Sequence, residues 1–523
     1  MLFRAQLIRF DALQTGDPYR CCLRDNLGRM TPQSHFMVVA PIVEARISEL
    51  RALLRSMNDR PGMAKPDNPI VPFGRFENLH FARFVILDDQ TLRDFEEYGA
   101  PVPDFSVLLA FLGDCDGPGD DLLAEMARLA APGLRQIFSF CQGFTPDADL
   151  LAWMKRHSQT PAANYVNWVG RTVRQVREEA GLRDELMKCI REHQEVWSRE
   201  EPQKIRDALI GHCRRLLNDG SLLLTRPQPT PFGWSVRNFL HYAILPAALF
   251  VPWFLALPFL LPFQPMFFWI ALTFVVLGAI LLFTLIRFVP VSLALILVVG
   301  LWIVPLFMLF PLLIVPAVLA AAAFLWVLRH YEKTEPEIIH RPEVDHIVEL
   351  AALEDHDVTN QFTALGSVKP SRYRRALFTV ILWLIDYFAR HVFGRGHLGR
   401  IRTIHFARWV FLEGKERMVF ASNYDGSHEA YMDDFINKAG WGLNLAFTCG
   451  LGYPRTRWII KDGATEELKF KYTQRRHQKP TETWYRAYPG LTVYDLERNS
   501  RVRAGFERHT MTDSEVRAWL RDL

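Results

Sequence analysis

Two kinds of apolar spacing organise the chain. In HFMVVAPI (35–42), NLHFARFVIL (78–87), FSVLLAFLGDCDG (105–117) and LRQIFSFCQGF (134–144), apolar residues run nearly unbroken over strand length. In VEARISELRALLRSM (43–57) and DDLLAEMARLAA (120–131) they return every three or four positions. The first kind predicts buried strands and the second amphipathic helices. Taken in order, the segments spell β-α-β-β-α-β, the split unit of a ferredoxin-like α+β fold. The same order returns later in the chain. NQFTALGSVKP (360–370) predicts a strand, RRALFTVILWLIDYFARHVF (374–393) a helix, and TIHFARWVFL (403–412) with RMVFASNYDG (417–426) a hairpin. HEAYMDDFINKA (428–439) then predicts a second helix and GLNLAFTCGLGYP (442–454) a last strand.

Two motifs tie the copies together: HFAR at 80–83 and 405–408, and FLGDCDG (111–117) against FASNYDG (420–426), which places Asp116 opposite Asp425. Agreement in element order and in two separate motifs marks an internal duplication. Along TIHFARWVFL both faces are apolar, and the helices of a split unit cover only one of them. The other face needs a second apolar sheet, and the second copy is the natural partner. The expected fold is a pseudo-dimeric α+β barrel of two ferredoxin-like units, with a cavity between the sheets.

Between the copies, Asn238 to Leu328 contain no Asp, Glu or Lys and a single Arg, Arg287. Uncharged apolar runs of ~18 or more residues read as membrane helices. Prolines and the single arginine divide this stretch into four expected crossings, at 239–262, 266–286, 291–308 and 312–328. A hairpin of two broken helices is the rival. Arg226, Arg237, Arg287, Arg329 and Lys333 fall on one side of such a topology, the cytoplasmic side by the positive-inside rule. The expectation is a multi-pass inner-membrane protein with both flanks cytoplasmic, anchored by the segment rather than transporting through it. The expected domains are an extension (1–34), repeat one (35–145), a helical linker (146–237), a transmembrane segment (238–329), a linker (330–359), repeat two (360–460) and a C-terminal extension (461–523).

Composition narrows the partners. A net charge of +4 over 523 residues gives no basic face for nucleic acid. Seven scattered cysteines fit neither a disulfide framework nor a zinc pattern, and the N-terminus has no cleavable apolar core. The expected partners are the lipid bilayer and a small apolar or planar ligand between the sheets.

The candidate chemistry lies on the repeated strands. A turn through EGKE (413–416) sets Leu412 opposite Arg417, Trp409 opposite Phe420 and His405 opposite Tyr424, gathering His405, Tyr424 and Ser422 on one face with Asp425 and Gly426 at the strand end. The first copy offers His80, Arg83, Asp114 and Asp116. Asp-Gly after a strand is also a turn signal in its own right.

The phrases IHFARWV, FASNYDGSHEAYMDDF, FKYTQRRHQ and WYRAYP resemble an uncharacterised family of bacterial membrane-associated proteins. More distantly, the duplicated plan and GDCDG (113–117) resemble the dye-decolourising peroxidase superfamily. That likeness implies haem as cofactor, Asp116 or Asp425 as the distal acid and Arg83 or Arg408 as the charge stabiliser. It also implies an axial histidine. His405, His428 and His477 are all open for that place, and the expected cofactor-binding set is His405, His80, Tyr424 and Trp409. A peroxidase-like redox enzyme is one expectation; a non-catalytic module binding a lipid or small molecule is the other.

Overall fold

The computed structural model describes residues 29–260, 318–393 and 401–523. Among these, residues 29–230, 336–386 and 401–523 belong to one compact unit, and residues 231–260, 318–335 and 387–392 to another. The first unit carries the strands: β1 (Gln33–Pro41), β2 (Asn58–Arg60), β3 (Met63–Ala64), β4 (Leu79–Leu87), β5 (Leu108–Asp116), β6 (Ala163–Val166), β7 (Thr359–Ser367), β8 (Ile404–Leu412), β9 (Arg417–Asp425), β10 (Thr456–Arg457), β11 (Lys461–Asp462) and β12 (Thr481–Arg486).

One sheet has the order β1-β5-β4-β12-β3-β2 and the other β6-β8-β9-β7. Each contains the same antiparallel trio, β1-β5-β4 in one and β7-β9-β8 in the other. The hairpin β8–β9 pairs Leu412 with Arg417, Trp409 with Phe420 and Arg408 with Ala421.

Neither copy has the last strand expected of it. LRQIFSFCQGF begins in the helix Ala131–Phe138, with Pro132 in its first turn and Leu134, Ile137 and Phe138 on the buried face. That is helical spacing hidden inside an apolar run, where periodicity alone does not separate strand from helix. GLNLAFTCGLGYP continues the helix His428–Phe447. All that remains of an outer strand is one bridge per copy, Ile42 to Cys141 and Val368 to Gly450.

The missing strand comes from the other copy's trailing segment. After copy one, Ser158 bridges Val38 on β1; a few residues on, β6 pairs antiparallel with β8 of copy two. After copy two, Gln478 bridges Ala364 on β7, and β12 then pairs with β4 of copy one. The amides Gln159 and Lys479 make equivalent bonds of 2.8 Å to the carbonyls of Met37 and Thr363. Each trailing segment therefore stitches one edge of its own trio to the far edge of the other, and the two sheets close on each other at both seams.

The space between the sheets is filled. Met37, Val39, Val85, Leu87, Leu108, Ala110 and Leu112 from one trio pack with Leu365, Val410, Leu412, Val419 and Ala421 from the other. This corrects the expected inter-sheet cavity: small and branched residues alternate inward from six strands and interdigitate at the density of a protein interior. The opposite face of the first sheet packs Phe36, Val38, Phe84 and Phe111 against Leu50, Leu54, Met126, Leu134 and Phe138 of the covering helices.

Among the described residues no helix is long and apolar enough to cross a membrane. This overturns the four-helix transmembrane segment as part of the fold, together with the multi-pass anchor and the inner-membrane location drawn from it. The expected crossing at 239–262 falls largely on the helix Phe232–Leu260. Those at 266–286 and 291–308 lie outside the described residues, and the fourth is described from residue 318 onward. The expectation rested on the absence of charge from Asn238 to Leu328, and an uncharged stretch does not by itself set the length of the helices it forms. Phe232–Leu260 carries Pro246, Pro252 and Pro258, each lacking a backbone donor. In this second unit His241 Nδ1 and His391 Nε2 share a hydrogen bond of 2.8 Å, and Tyr387 Oη donates to the carbonyl of Tyr242 at 2.9 Å.

Candidate functional site

The two histidines of the HFAR motifs stand at matching irregularities. The β4–β5 register shifts between Leu79 and Phe81, and the β8–β9 register between Ile404 and Phe406. The residue left over at each shift is His80 or His405. A bulge re-aims the side chain it carries, and here both imidazoles reach the aspartate of their own Asp-Gly motif. His80 Nε2 lies 2.9 Å from Asp116 Oδ1, and His405 Nε2 lies 2.7 Å from Asp425 Oδ1. The expected pairing of His405 with Tyr424 is thus displaced by one residue, Ile404 taking that place.

The second oxygen of each aspartate has an equal task. Asp116 Oδ2 accepts from the backbone N–H of Val173 at 2.8 Å, and Asp425 Oδ2 from that of Val493 at 2.7 Å. These are the first residues of the helices Val173–Trp197 and Val493–Glu507, whose preceding threonines, Thr172 and Thr492, form capping boxes with Gln175 and Asp495. A carboxylate at a helix N-terminus satisfies an orphan donor and meets the positive end of the dipole. Each aspartate consequently fastens a bulged strand to the helix that follows the exchanged strand.

Around the two histidines lies a cavity lined by Gln33, His80, Asn167, Trp168, Arg171, His405, Phe406 and Tyr488 among others. Its volume is about 10 Å³ for the centre of a water-sized sphere, room for one water. Tyr488 Oη is 2.9 Å from His80 Nδ1. Burial, with Asp116 and Asp114 adding to it, pushes the Tyr488 phenol well above its ordinary value, so the phenol keeps its proton in this contact. Tyr488–His80–Asp116 is a hydrogen-bonded relay of the kind that orients a base, yet it has space beside it for a water and nothing larger.

The arginines of the same motifs point elsewhere, into the barrel. Arg83 donates to the carbonyls of Phe362 and Ser422 at 2.9 Å each and to Asn423 Oδ1. Arg408 donates to the carbonyls of Phe36 at 3.0 Å and Gly113 at 3.1 Å and to Asp114. These partners are equivalent between the copies, so each arginine crosses to the other copy's hairpin. Burial pulls the Arg83 guanidinium down to about 9, against the attraction of Asp114, which leaves it charged at neutral pH. Burial also raises the Asp114 carboxyl while Arg408 and Arg83 pull it the other way.

Tyr424 and Trp409 lie on the outer face of their sheet, Tyr424 stacked on Tyr431 at 3.9 Å and Trp409 4.8 Å from Phe420. The residues expected to form one cofactor site therefore divide among the barrel end, its interior and its outside. Both nitrogens of His80 are engaged, Nε2 of His405 is taken by Asp425, and the cavity beside them has room for about one water. Among the described residues no group of three or more His, Cys, Asp and Glu is arranged to hold a metal ion.

A larger space opens where the copies differ. Outside β7 and β9, a cavity of about 50 Å³ by the same measure is lined by Ala364, Gly366, Met418, Phe420, Phe447, Tyr453, Thr473 and His477 among others. The equivalent place in copy one is occupied by Trp153, whose ring lies 4.6 Å from Phe138, 5.2 Å from Phe144 and 4.1 Å from His157. The correspondence is close. His157 Nδ1 meets the Trp153 carbonyl at 2.9 Å, as His477 Nδ1 meets that of Thr473 at 2.8 Å. Phe138 and Phe144 flank the bridging residue Cys141 as Phe447 and Tyr453 flank Gly450. Thr473 stands where Trp153 would be, and part of the indole's volume, about 50 Å³, is left open.

No family model, curated protein or solved structure matches this chain. What defines the molecule is thus its own duplication, closed by reciprocal strands. The sequence reading missed its third repeat, H-S-Q…Y-V-N-W-V-G-R-T-V (157–173) against H-Q-K…Y-R-A-Y-P-G-L-T-V (477–493), which carries His477, Tyr488 and both capping threonines at a constant offset. Gly170 and Gly490 both take positive φ, +89° and +80°, at the turn into the capped helices, a signal available as a shared glycine before Thr-Val.

Proposed function

We propose that the duplicated barrel is a binding module for a small, largely apolar molecule, and that its site is the cavity of copy two bounded by Phe420, Phe447, Tyr453, Thr473 and His477. One observation carries this reading: within a single chain, the same architecture is filled by Trp153 in one copy and left open at Thr473 in the other. Apolar cavities that stay dry readily accept small rings, and this one has room for several water-sized spheres. The His–Asp pairs and the arginine layer fit a structural role, since each closes hydrogen bonds that folding would otherwise leave unmet.

The test uses the full-length protein with phenol and toluene as probes, read by calorimetry and by thermal shift. At least one probe is expected to bind wild type and to be excluded by Thr473→Trp, which gives copy two the side chain of copy one. Should Thr473→Trp fail to fold, Thr473→Leu fills part of the space. Binding that persists unchanged in the filled variants, or no binding of either probe to wild type, would defeat the reading.

A further inference from the structure

The cavity of copy two differs from a plain apolar void in one group. His477 is buried, and its ring rests on Gly366: a Cβ added there would lie 2.9 Å from His477 Cδ2 and 3.5 Å from Nε2. This close approach fixes the ring against β7 and explains a glycine near the end of that strand, where the first copy has Ala40 at the same bridge spacing. The Thr473 carbonyl, 2.8 Å from Nδ1, can only accept, so the proton of the neutral ring sits on Nδ1. Burial holds the imidazole below its ordinary value, opposed by that carbonyl and by Asp89, and the ring is neutral at pH 7. Nε2 is then a bare acceptor, and it has no hydrogen-bond partner among the described residues.

Two other polar side chains of the wall are already committed. Thr473 Oγ1 donates to the carbonyls of Gly452 and Lys469 at 2.9 and 3.0 Å, and Tyr453 Oη donates to Asn444 Oδ1 at 2.9 Å. A polar group of the ligand set against Phe378, Met418, Phe420 or Phe447 would stay unpaired, at a cost comparable to a lost buried hydrogen bond.

Resting on the binding-module reading above, we infer that the site selects a small ring or short chain bearing a single hydroxyl or N–H donor, which it recognises through His477 Nε2. The apolar body occupies the volume that Trp153 fills in copy one. The donor meets His477 Nε2. His157 Nδ1 makes the same backbone contact in copy one, but the indole of Trp153 stacks against that ring, so the first copy offers no such space.

Phenol and toluene have the same shape and differ in one donor. Wild type is expected to bind phenol about tenfold more tightly than toluene, the size of one net hydrogen bond. His477→Asn, whose shorter side chain withdraws from Gly366, is expected to reduce the ratio of phenol to toluene affinity to about one, whatever the change in toluene binding itself. With histidine labelled by ¹⁵N, phenol and not toluene should shift the Nε2 signal that His477→Asn removes. Equal binding of the two probes to wild type, or a phenol preference unchanged in His477→Asn, overturns the donor inference and leaves the cavity reading standing. Failure of both probes to bind defeats the cavity reading itself.

Discussion

Asn423 Nδ2 donates to Asp114 Oδ2 across 3.1 Å, and so joins the same position of two copies at the centre of the barrel. Around that contact Arg83 and Arg408 each place a guanidinium among the other copy's carbonyls. Among the described residues, Asp114 is the one carboxylate in direct contact with this layer. Asp114→Ala strands the buried charge of Arg408, and a broken buried pair typically costs about 3–5 kcal/mol. Urea unfolding should show a lower midpoint with an unchanged slope. A midpoint equal to wild type would mean that the layer contributes nothing to holding the halves together.

Asp116 and Asp425 each bridge a bulged histidine and a helix N-terminus. In Asp116→Asn or Asp425→Asn the new amide group turns a donor toward a donor on one side of that bridge. Each substitution should lower stability by about 1–3 kcal/mol, and by similar amounts in the two copies because the contacts are duplicated. Chemical denaturation of the two single variants checks this. A large loss for one and none for the other would refute a shared fastening role.

His428 is buried at the start of its helix, and neither ring nitrogen has a hydrogen-bond partner among the described residues. Burial, reinforced by the charges of Arg475 and Lys471, pulls it down to about 3. Glu429 lies 3.8 Å from Nδ1 and the ring of Phe362 at 5.9 Å. Because the folded value lies below the ordinary one, the unfolded chain binds the extra proton first. Stability is therefore complete above about pH 6.5 and declines as pH falls toward 3, by up to about 1.4 kcal/mol per pH unit. His428→Leu should flatten the slope between about pH 4.5 and about pH 6.5. Identical slopes in variant and wild type would assign the acid sensitivity elsewhere.

Gly366→Ala places a methyl against the His477 ring, with backbone on one side and the helix Glu467–His477 on the other. Overpacking of this kind costs about 1–3 kcal/mol. The ring must tilt to relieve it, so the ¹⁵N signals of His477 should move. An unperturbed His477 spectrum would show that the contact is slack.

The duplication and its trios of strands were legible in the sequence, because HFAR and the Asp-Gly ends repeat with strand-length spacing around them. The exchange of outer strands was not. A tetrad such as ANYV (163–166) is too short to announce a strand, and its pairing with residues some 240 positions away is fixed by tertiary closure alone. The site residues were found as residues and misjudged as a set. Alternation along β4 correctly separates Arg83 from its neighbours, but the bulge at His80 shifts the count by one and sends the imidazole out of that pattern. The cavity was invisible for a different reason: it consists of what Thr473 lacks, and this emerges only when it is set beside Trp153 in register.

The exchanged strands have a consequence for ancestry. A chain containing one copy with its trailing arm would have an open edge and a spare strand, and two such chains would satisfy each other as a symmetric pair. Fusing them into one polypeptide keeps every such bond but releases each position from serving twice. Asp114 could then keep its charge while Asn423 lost it, and one half could seal the space that the other holds vacant.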